Sequence, residues 1–258
     1  MNRPNRPVRV LCIVIPVYNE RDTWRRLLER VEAEEVPGWE KHIILIDDAS
    51  TDGTREQLKD FSQELAKAEA SDAASTRRIT LRFHDRNGGK GAALRSGFEL
   101  ADGDVVLVQD ADLEYNPADY PRLLEPLAED RADVVYGSRF LHGRRQGWPL
   151  LTYLANRFLT RLSNLTTGLK LTDMETCYKA IRRDLLSSII LEQDRFGFEP
   201  EITAKLARLG ARFHEVPISY QPRGRAEGKK IGFRDGIKAI WCILKYGLGA
   251  GNRRREAR

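Results

Sequence analysis

The sequence predicts a doubly wound α/β fold, a mostly parallel sheet with helices on both faces. Three observations carry this expectation. Short β-branched apolar runs recur five times in the first half, helically spaced stretches separate them, and polar turn motifs follow the first four of these runs. Residues 8–17 form a continuous apolar run ending at Pro16, the pattern of a strand buried on both faces. Residues 21–35 follow with helical spacing through Trp24, Leu27, Leu28 and Val31. A second β-branched run, 42–46, leads through Asp52-Gly53 to a helix carrying Leu58, Phe61 and Leu65. Residues 68–76, rich in Ala and Ser, read as an exposed connection. The cycle continues with strand 79–83, helix 91–100, strand 104–108, helix 117–127 and strand 133–136.

After Gly137 the rhythm changes. A loop with Gly143, Arg144, Arg145 and Gly147 precedes a long helical pattern, 150–165. A short segment, 173–181, is followed by helices near 184–190 and 200–209, the second stopped by Gly210. A strand, 212–220, then leads through a Gly- and Lys-rich loop into a final helix, 233–248. These elements read as additions to the same sheet, whose ligand crevice is expected at the carboxyl ends of its strands.

Composition narrows the function classes. The 258 residues are 41% hydrophobic and 31% charged, enough for one substantial core, and no apolar run approaches the roughly 20 residues that cross a bilayer. The N-terminus lacks a signal-type core with a cleavage site, so a cytoplasmic location is expected. Cys12, Cys177 and Cys242 are too dispersed for a disulfide framework or a cysteine metal site, and the histidines are scattered too. Any metal is therefore expected on oxygen ligands. Basic residues gather at 139–145, at 223–230 and in Arg253-Arg254-Arg255, a distribution suited to phosphates or anionic lipid. Nucleic acid has only the basic tail in its favour, and no nucleic-acid partner is expected.

Asp110, Asp112 and Glu114 follow the fourth strand at i, i+2 and i+4, a spacing that projects carboxylates to one side of an extended segment. Such oxygens suit Mg²⁺ or Mn²⁺ shared with substrate phosphates; the alternative is an acidic loop in which Asp112 or Asn116 caps the helix beginning near Pro117. Asp47 and Asp48 stand where a base and ribose could be bound through their N–H and O–H groups, with Asp48 the better ligand and Asp52 the better helix cap. Asn87-Gly88-Gly89-Lys90-Gly91 lacks the Walker pattern, and the turn after the first strand reads Tyr18-Asn19-Glu20 instead of a dinucleotide fingerprint. ATPase, dehydrogenase and nucleotidyltransferase readings lose support accordingly. What remains at 87–91 is a loop at a helix N-terminus that can meet phosphate through backbone N–H groups and Lys90.

Taken together, Ile13-Val14-Ile15-Pro16-Val17-Tyr18-Asn19-Glu20, Asp47 through Thr54, Asn87 through Gly91, Gln109 through Glu114, Gly137-Ser138-Arg139-Phe140, Glu215-Val216-Pro217 and Arg223 resemble family 2 of the glycosyltransferases, and within it the polyprenyl (dolichyl) phosphate mannose and glucose synthases. The resemblance spans roughly residues 10–248. It implies a GT-A fold in one domain, 1–250, with a nucleotide-binding half 8–137, an acceptor half 138–250 and a basic tail 251–258. It further implies inverting, metal-dependent transfer of a hexose from a UDP- or GDP-sugar to polyprenyl phosphate. By the same resemblance Pro16, Tyr18, Glu20 and Asp48 line the nucleoside pocket, and Asp110, Ala111 and Asp112 meet the diphosphate, with Asp110, Asp112 and Glu114 as metal ligands. Glu114 departs from the glutamine common in the synthases and adds a negative charge. Arg139 faces the acceptor phosphate, and Arg223, Lys229 and Lys230 close over the donor.

Asp173 lies where relatives acting on hydroxyl groups carry a base, so it is either a general base or a group that positions the acceptor; a turn carboxylate is the bland alternative. Transfer to a soluble hydroxyl acceptor, and a non-catalytic nucleotide-sugar-binding protein, are the competing functions. A lipid acceptor requires the bilayer surface. The final helix offers Ile237, Ile240, Trp241, Leu244 and Leu248 in one stripe among basic residues, which either lies on a membrane or packs on the sheet. Contact with the inner face of the membrane, directly or through a membrane-protein partner, is the matching expectation.

Overall fold

The structure is a computed structural model that describes residues 9–70, 78–143, 149–222 and 233–249. Its strands are β1 Arg9–Val17, β2 Trp39–Asp47, β3 Arg78–Phe83, β4 Val105–Val108, β5 Val134–Ser138, β6 Lys179–Arg182 and β7 Phe213–Pro217. They form one sheet in the order β3-β2-β1-β4-β6-β5-β7. Six strands point the same way, and β6 alone runs antiparallel, paired to β4 on one side and β5 on the other. The helices are α1 Trp24–Ala33, α2 Thr54–Ala70, α3 Lys90–Leu100, α4 Tyr120–Ala128, α5 Leu150–Thr167, α6 Arg183–Ser187, α7 Phe198–Arg208 and α8 Phe233–Gly247.

The unbroken burial of Leu11–Ile15 and Val105–Val108 follows from their place at the centre of the sheet, covered on both faces. Gly97 lets α3 approach β1 closely, since a Cβ there would sit 2.2 Å from Val14 Cγ1. At the amino-terminal pole, Asp102 accepts from His42 Nδ1 at 3.0 Å while His42 Nε2 meets Thr80 Oγ1 at 2.9 Å. Arg78 binds the second oxygen of Asp102, and Cys12 packs beside the imidazole. This array ties three strands to the turn that follows α3.

Three expectations need correction. Residues 68–70 belong to α2 and are not part of a connection. The segment 173–181 ends in a strand, β6, which its sequence hides. Four residues show no periodicity, and two of them are Lys179 and Arg182. Lys179 is nevertheless buried, its ammonium donating to the carbonyls of Met174 and Thr176 and lying 4.4 Å from the Tyr136 ring centre. Finally, the stripe of α8 does not pack on the sheet. Ala239, Cys242, Ile243 and Tyr246 face the core, and Ile237, Trp241 and Leu244 point outward.

Candidate functional site

The carboxyl ends of β1, β2, β4, β5 and β7 meet on one edge of the sheet. Chain order reverses between β1 and β4, which makes their junction the crevice where such sheets bind ligands. Three of the four non-glycine residues with positive φ among the described residues mark the same edge: Asn19 after β1 (φ 55°), Ala49 after β2 (φ 59°) and Leu113 after β4 (φ 64°). Left-handed backbone at such residues persists only where neighbours hold it, and it gathers at functional loops. Here Asn19 N–H donates to Ser50 Oγ at 3.0 Å, and Asn19 Oδ1 accepts from Thr51 N–H at 2.8 Å. Glu20 is drawn into the same corner, with its N–H on Thr54 Oγ1 and its carboxylate accepting from Thr23 Oγ1 at 2.6 Å. Pro16 and Tyr18 are half-buried along this wall. Asp52 accepts from Thr54 N–H at 3.0 Å and so serves as the turn at the start of α2.

Asp48 is buried and organises the glycine-rich loop. Its carboxylate accepts from Gly88 N–H at 2.9 Å, Gly89 N–H at 2.6 Å and His84 Nδ1 at 2.8 Å. Ala92 N–H is taken by the Asp194 carbonyl at 3.1 Å. Two of the loop's amides, those of Gly88 and Gly89, are thus engaged by Asp48 inside the protein. The glycines also serve close approach: a Cβ on Gly91 would lie 2.1 Å from the Gln193 carbonyl oxygen. Gly91→Ala is therefore expected to lower stability by about 1–3 kcal/mol, because backbone must move. Urea denaturation checks this, and an unchanged midpoint would contradict the close contact.

The acidic loop after β4 rests on Gln109. Its Oε1 accepts from the hydroxyls of Tyr120 and Tyr178, both at 2.7 Å, and its Nε2 donates to the Asp110 carbonyl. Ala111 is buried. Lys90 reaches across from α3 to Asp110 Oδ1 at 2.9 Å and to Glu199 Oε1, on the first turn of α7, at 3.3 Å. Burial opposes the Lys90 charge, but Asp110 and Glu199 outweigh it and hold the ammonium pKa well above its ordinary value. Asp112 Oδ1 accepts from Glu114 N–H at 3.1 Å, while Asn116 provides the helix cap by accepting from Ala118 N–H. Glu114 accepts from the Tyr220 hydroxyl.

The donor set tests the fit of a divalent cation. Asp110 and Asp112 supply hard oxygens at the mouth of the crevice, and Asp110 already faces a cation, Lys90. Glu114 is tied to Tyr220, and the three carboxylates do not converge. Among the described residues, the group of three metal-capable side chains whose ligand atoms lie within 4.8 Å of one another is Cys12, His42 and Asp102, at the opposite pole. The hard oxygens present fit a divalent cation, with Glu114 engaged here by the Tyr220 hydroxyl.

Two strands away, Arg139 emerges from β5 and grips Asp173. Nε lies 2.7 Å from Oδ2, Nη2 lies 2.8 Å from Oδ1, and the Arg139 N–H adds a third bond at 3.0 Å. The guanidinium carbon stands 5.2 Å from the Tyr220 ring centre and 5.5 Å from that of Phe140. Burial would raise the Asp173 pKa, but Arg139 outweighs it and holds the carboxyl below the usual aspartate value. Glu215 fixes the turn from below by accepting from Thr172 N–H at 2.7 Å and Asp173 N–H at 3.1 Å. From α5, Asn156 Nδ2 donates to Asp173 at 3.2 Å, Thr160 Oγ1 accepts from Met174 N–H, and Asn164 pairs with both backbone groups of Leu171. At i, i+4 and i+8, these three residues form one polar stripe turned inward.

Arg223, Lys229 and Lys230 lie outside the described residues, as does the tail 251–258. A cleft of about 350 Å³ runs past Glu114 and Tyr220, bounded by Arg30, Leu113 and Ser219. Sequence reasoning gave no role to His84, Gln109, Glu199, Glu215 or Tyr220. Gln109 and Glu215 stood inside quoted motifs, but long-range partners such as Glu199 leave no local pattern.

Comparison with known proteins supplies the lineage. The family model for glycosyl transferase family 2 matches residues 12–190. The chain is 35% identical over 250 residues to an undecaprenyl-phosphate mannosyltransferase of Micrococcus luteus, covering 94% of this chain and 96% of that one. It is 32% identical over 226 residues to an undecaprenyl-phosphate 4-deoxy-4-formamido-L-arabinose transferase of Aeromonas hydrophila; the match covers 87% of this chain and spans 64% of that relative's length. Among solved structures, glucosyl-3-phosphoglycerate synthase of Mycobacterium tuberculosis, in complex with Mn²⁺, UDP and glucosyl-3-phosphoglycerate, superposes with a TM-score of 0.65 over 100% of this chain and 93% of that one, at 20% identity. That likeness establishes the architecture alone. With a GT-A sheet and a family match over most of its length, the chain belongs to glycosyl transferase family 2 and is a glycosyltransferase.

Proposed function

We propose that this glycosyltransferase moves a hexose from a UDP- or GDP-sugar to a polyprenyl phosphate, with inversion, at the inner face of the membrane. The observation that carries the acceptor class is the state of Asp173. A hydroxyl acceptor needs a base to take its proton, whereas a phosphate monoester is already anionic at neutral pH. Asp173 is committed to Arg139 by two side-chain contacts and has its pKa held down, which makes it a poor base and a good anchor. Arg139, held rigid and charged, then meets the acceptor phosphate. The names of the two relatives, both acting on undecaprenyl phosphate, support the same reading.

On the donor side, Asp110 and Asp112 would hold Mg²⁺ or Mn²⁺. When bound, the cation would neutralise charge gathering on the leaving diphosphate. Lys90 adds a fixed positive charge beside Asp110, and Glu199 keeps that ammonium in place. Pro16, Tyr18 and Glu20 would flank the nucleoside, with Asp48 acting through the loop it holds. Arg223, Lys229 and Lys230 would close over the diphosphate.

The test is transfer of labelled hexose from UDP- and GDP-sugars into organic-extractable product, with and without polyprenyl phosphate and Mn²⁺. Extractable label that disappears on chelation is the expected result. The pH profile should fall only as the acceptor phosphate dianion takes up a proton, near its second pKa of about 6. Label passing instead to a soluble sugar hydroxyl, with an acid limb that Asp173→Asn abolishes, would overturn the acceptor class.

A further inference from the structure

The nine exposed large hydrophobic residues found among the described residues are not scattered. Leu150, Leu151, Leu154, Phe158 and Leu165 lie on α5; Ile237, Trp241 and Leu244 lie on α8, and Leu248 follows directly after it. The two helices pack side by side, so closely that a Cβ on Gly247 would fall 2.2 Å from Thr166 Oγ1. Beneath them α7 is buried along its length from Phe198 to Leu206. The pair is therefore the outermost layer here, and its outer face is apolar.

Helix α5 is amphipathic in the inverted sense. Its fully buried residues are Asn156, Thr160 and Ser163, and its outward residues include Leu151 at 80% exposure, Phe158 at 57% and Leu165 at 83%. A surface helix in water normally shows the opposite arrangement. An apolar patch of this extent marks contact with something other than water. The charge on these helices indicates what that is. Their sequences hold Arg157, Arg161, Arg234, Lys238 and Lys245 against the single acid Asp235. Arg161 and Lys238 are exposed, and Lys245 lies 5.0 Å from the Trp241 ring centre. Outward leucines and aromatics among cations form the composition of a helix lying in the headgroup region of an anionic bilayer. No helix among the described residues is long and apolar enough to cross a membrane.

We infer that the α5–α8 face docks on an anionic lipid surface, and that α5 thereby sets the acceptor site against the bilayer. The outer side of α5 rests in the lipid while its inner stripe of Asn156, Thr160 and Asn164 holds the Asp173 turn, and through it Arg139. The Phe140 and Tyr153 rings, 5.2 Å apart, join the start of α5 to the residue after Arg139. The role of docking in catalysis rests on the lipid-phosphate reading above, whereas the docking itself does not.

Sedimentation of the full chain with vesicles of mixed phosphatidylglycerol and phosphatidylcholine tests the inference, compared with the Leu151→Asp/Phe158→Asp double variant. Both residues are exposed, so the variant should fold, which circular dichroism verifies. Wild type should sediment with anionic vesicles, release in about 0.5 M salt, and bind pure phosphatidylcholine less. The variant should bind about tenfold less and lose transfer to long-chain polyprenyl phosphate in those vesicles to a similar degree. It should keep transfer to a short-chain isoprenyl phosphate in solution. Wild type that stays in the supernatant overturns the proposal, as does a solution dimer that the same substitutions split, since a second copy would then cover the face. Vesicle binding without transfer to either acceptor would overturn the acceptor class and leave the docking in place.

Discussion

Asp112→Ala is expected to reduce hexose transfer by about 10³-fold or more, because on the proposed reading its carboxylate would hold the cation that neutralises the leaving diphosphate, and such charges carry much of the rate enhancement. Stability should change little. Asp112 is half-buried, and its Oδ1 receives the N–H of Glu114, a loop contact worth about 1 kcal/mol. Asp112→Asn separates the two effects, since it keeps an acceptor oxygen and removes the charge. It should melt like wild type and be nearly as inactive as the alanine variant. Transfer assays with Mn²⁺ and with chelator check the prediction. Wild-type rates from Asp112→Ala in the presence of chelator would remove the cation from the mechanism.

Arg139→Ala should be the most destabilising single change at the site. It strands Asp173, a carboxylate with no exposed surface, and breaking one side of a buried pair costs about 3–5 kcal/mol. Arg139→Lys is the informative companion. It restores a charge near Asp173 but not the two-point grip or the guanidinium contact with the Tyr220 ring. We expect its melting temperature to recover much of the loss while kcat stays down by about 10²-fold. The sign of the pH effect follows from Asp173. Its pKa is depressed on folding, so the pair's stabilisation is present above the ordinary aspartate range and lost only as acid carries the solution below it. The difference in denaturation midpoint between wild type and Arg139→Ala should therefore be flat with pH near neutrality. If Arg139→Lys were fully active, the guanidinium would have no specific part in binding the acceptor.

The first half of the chain was legible because parallel central strands write themselves as apolar runs. The expected strands at 8–17 and 104–108 differ from β1 and β4 by one residue at their starts. The motifs at their ends were legible for the same reason, since a loop that follows a buried strand has one address. β6 was not legible, because a short antiparallel strand flanked by charge resembles a loop and Lys179 is buried only through contacts with distant carbonyls. At the site, Asp48 and Glu114 were visible as carboxylates, but their partners were not. Gly88 and Gly89 lie forty residues from Asp48, and Tyr220 lies still farther from Glu114. The direction of the α5 and α8 faces was hidden as well, because an apolar stripe looks alike whether it meets the core or the outside.

β6 also has a metric consequence. It leads to neither Asp110 nor Arg139, yet it lies between the strands that do, and its pairing on both sides holds β4 and β5 two strand spacings apart. At about 4.8 Å per spacing, the backbones leading to the acidic loop and to the arginine stand roughly 10 Å apart. On the function proposed above, that span would accommodate one sugar ring between a donor diphosphate and an acceptor phosphate. The sheet thus acts as a ruler whose middle division is the strand that runs the wrong way. Because this gauge is built from ladder hydrogen bonds, it is set before either substrate arrives.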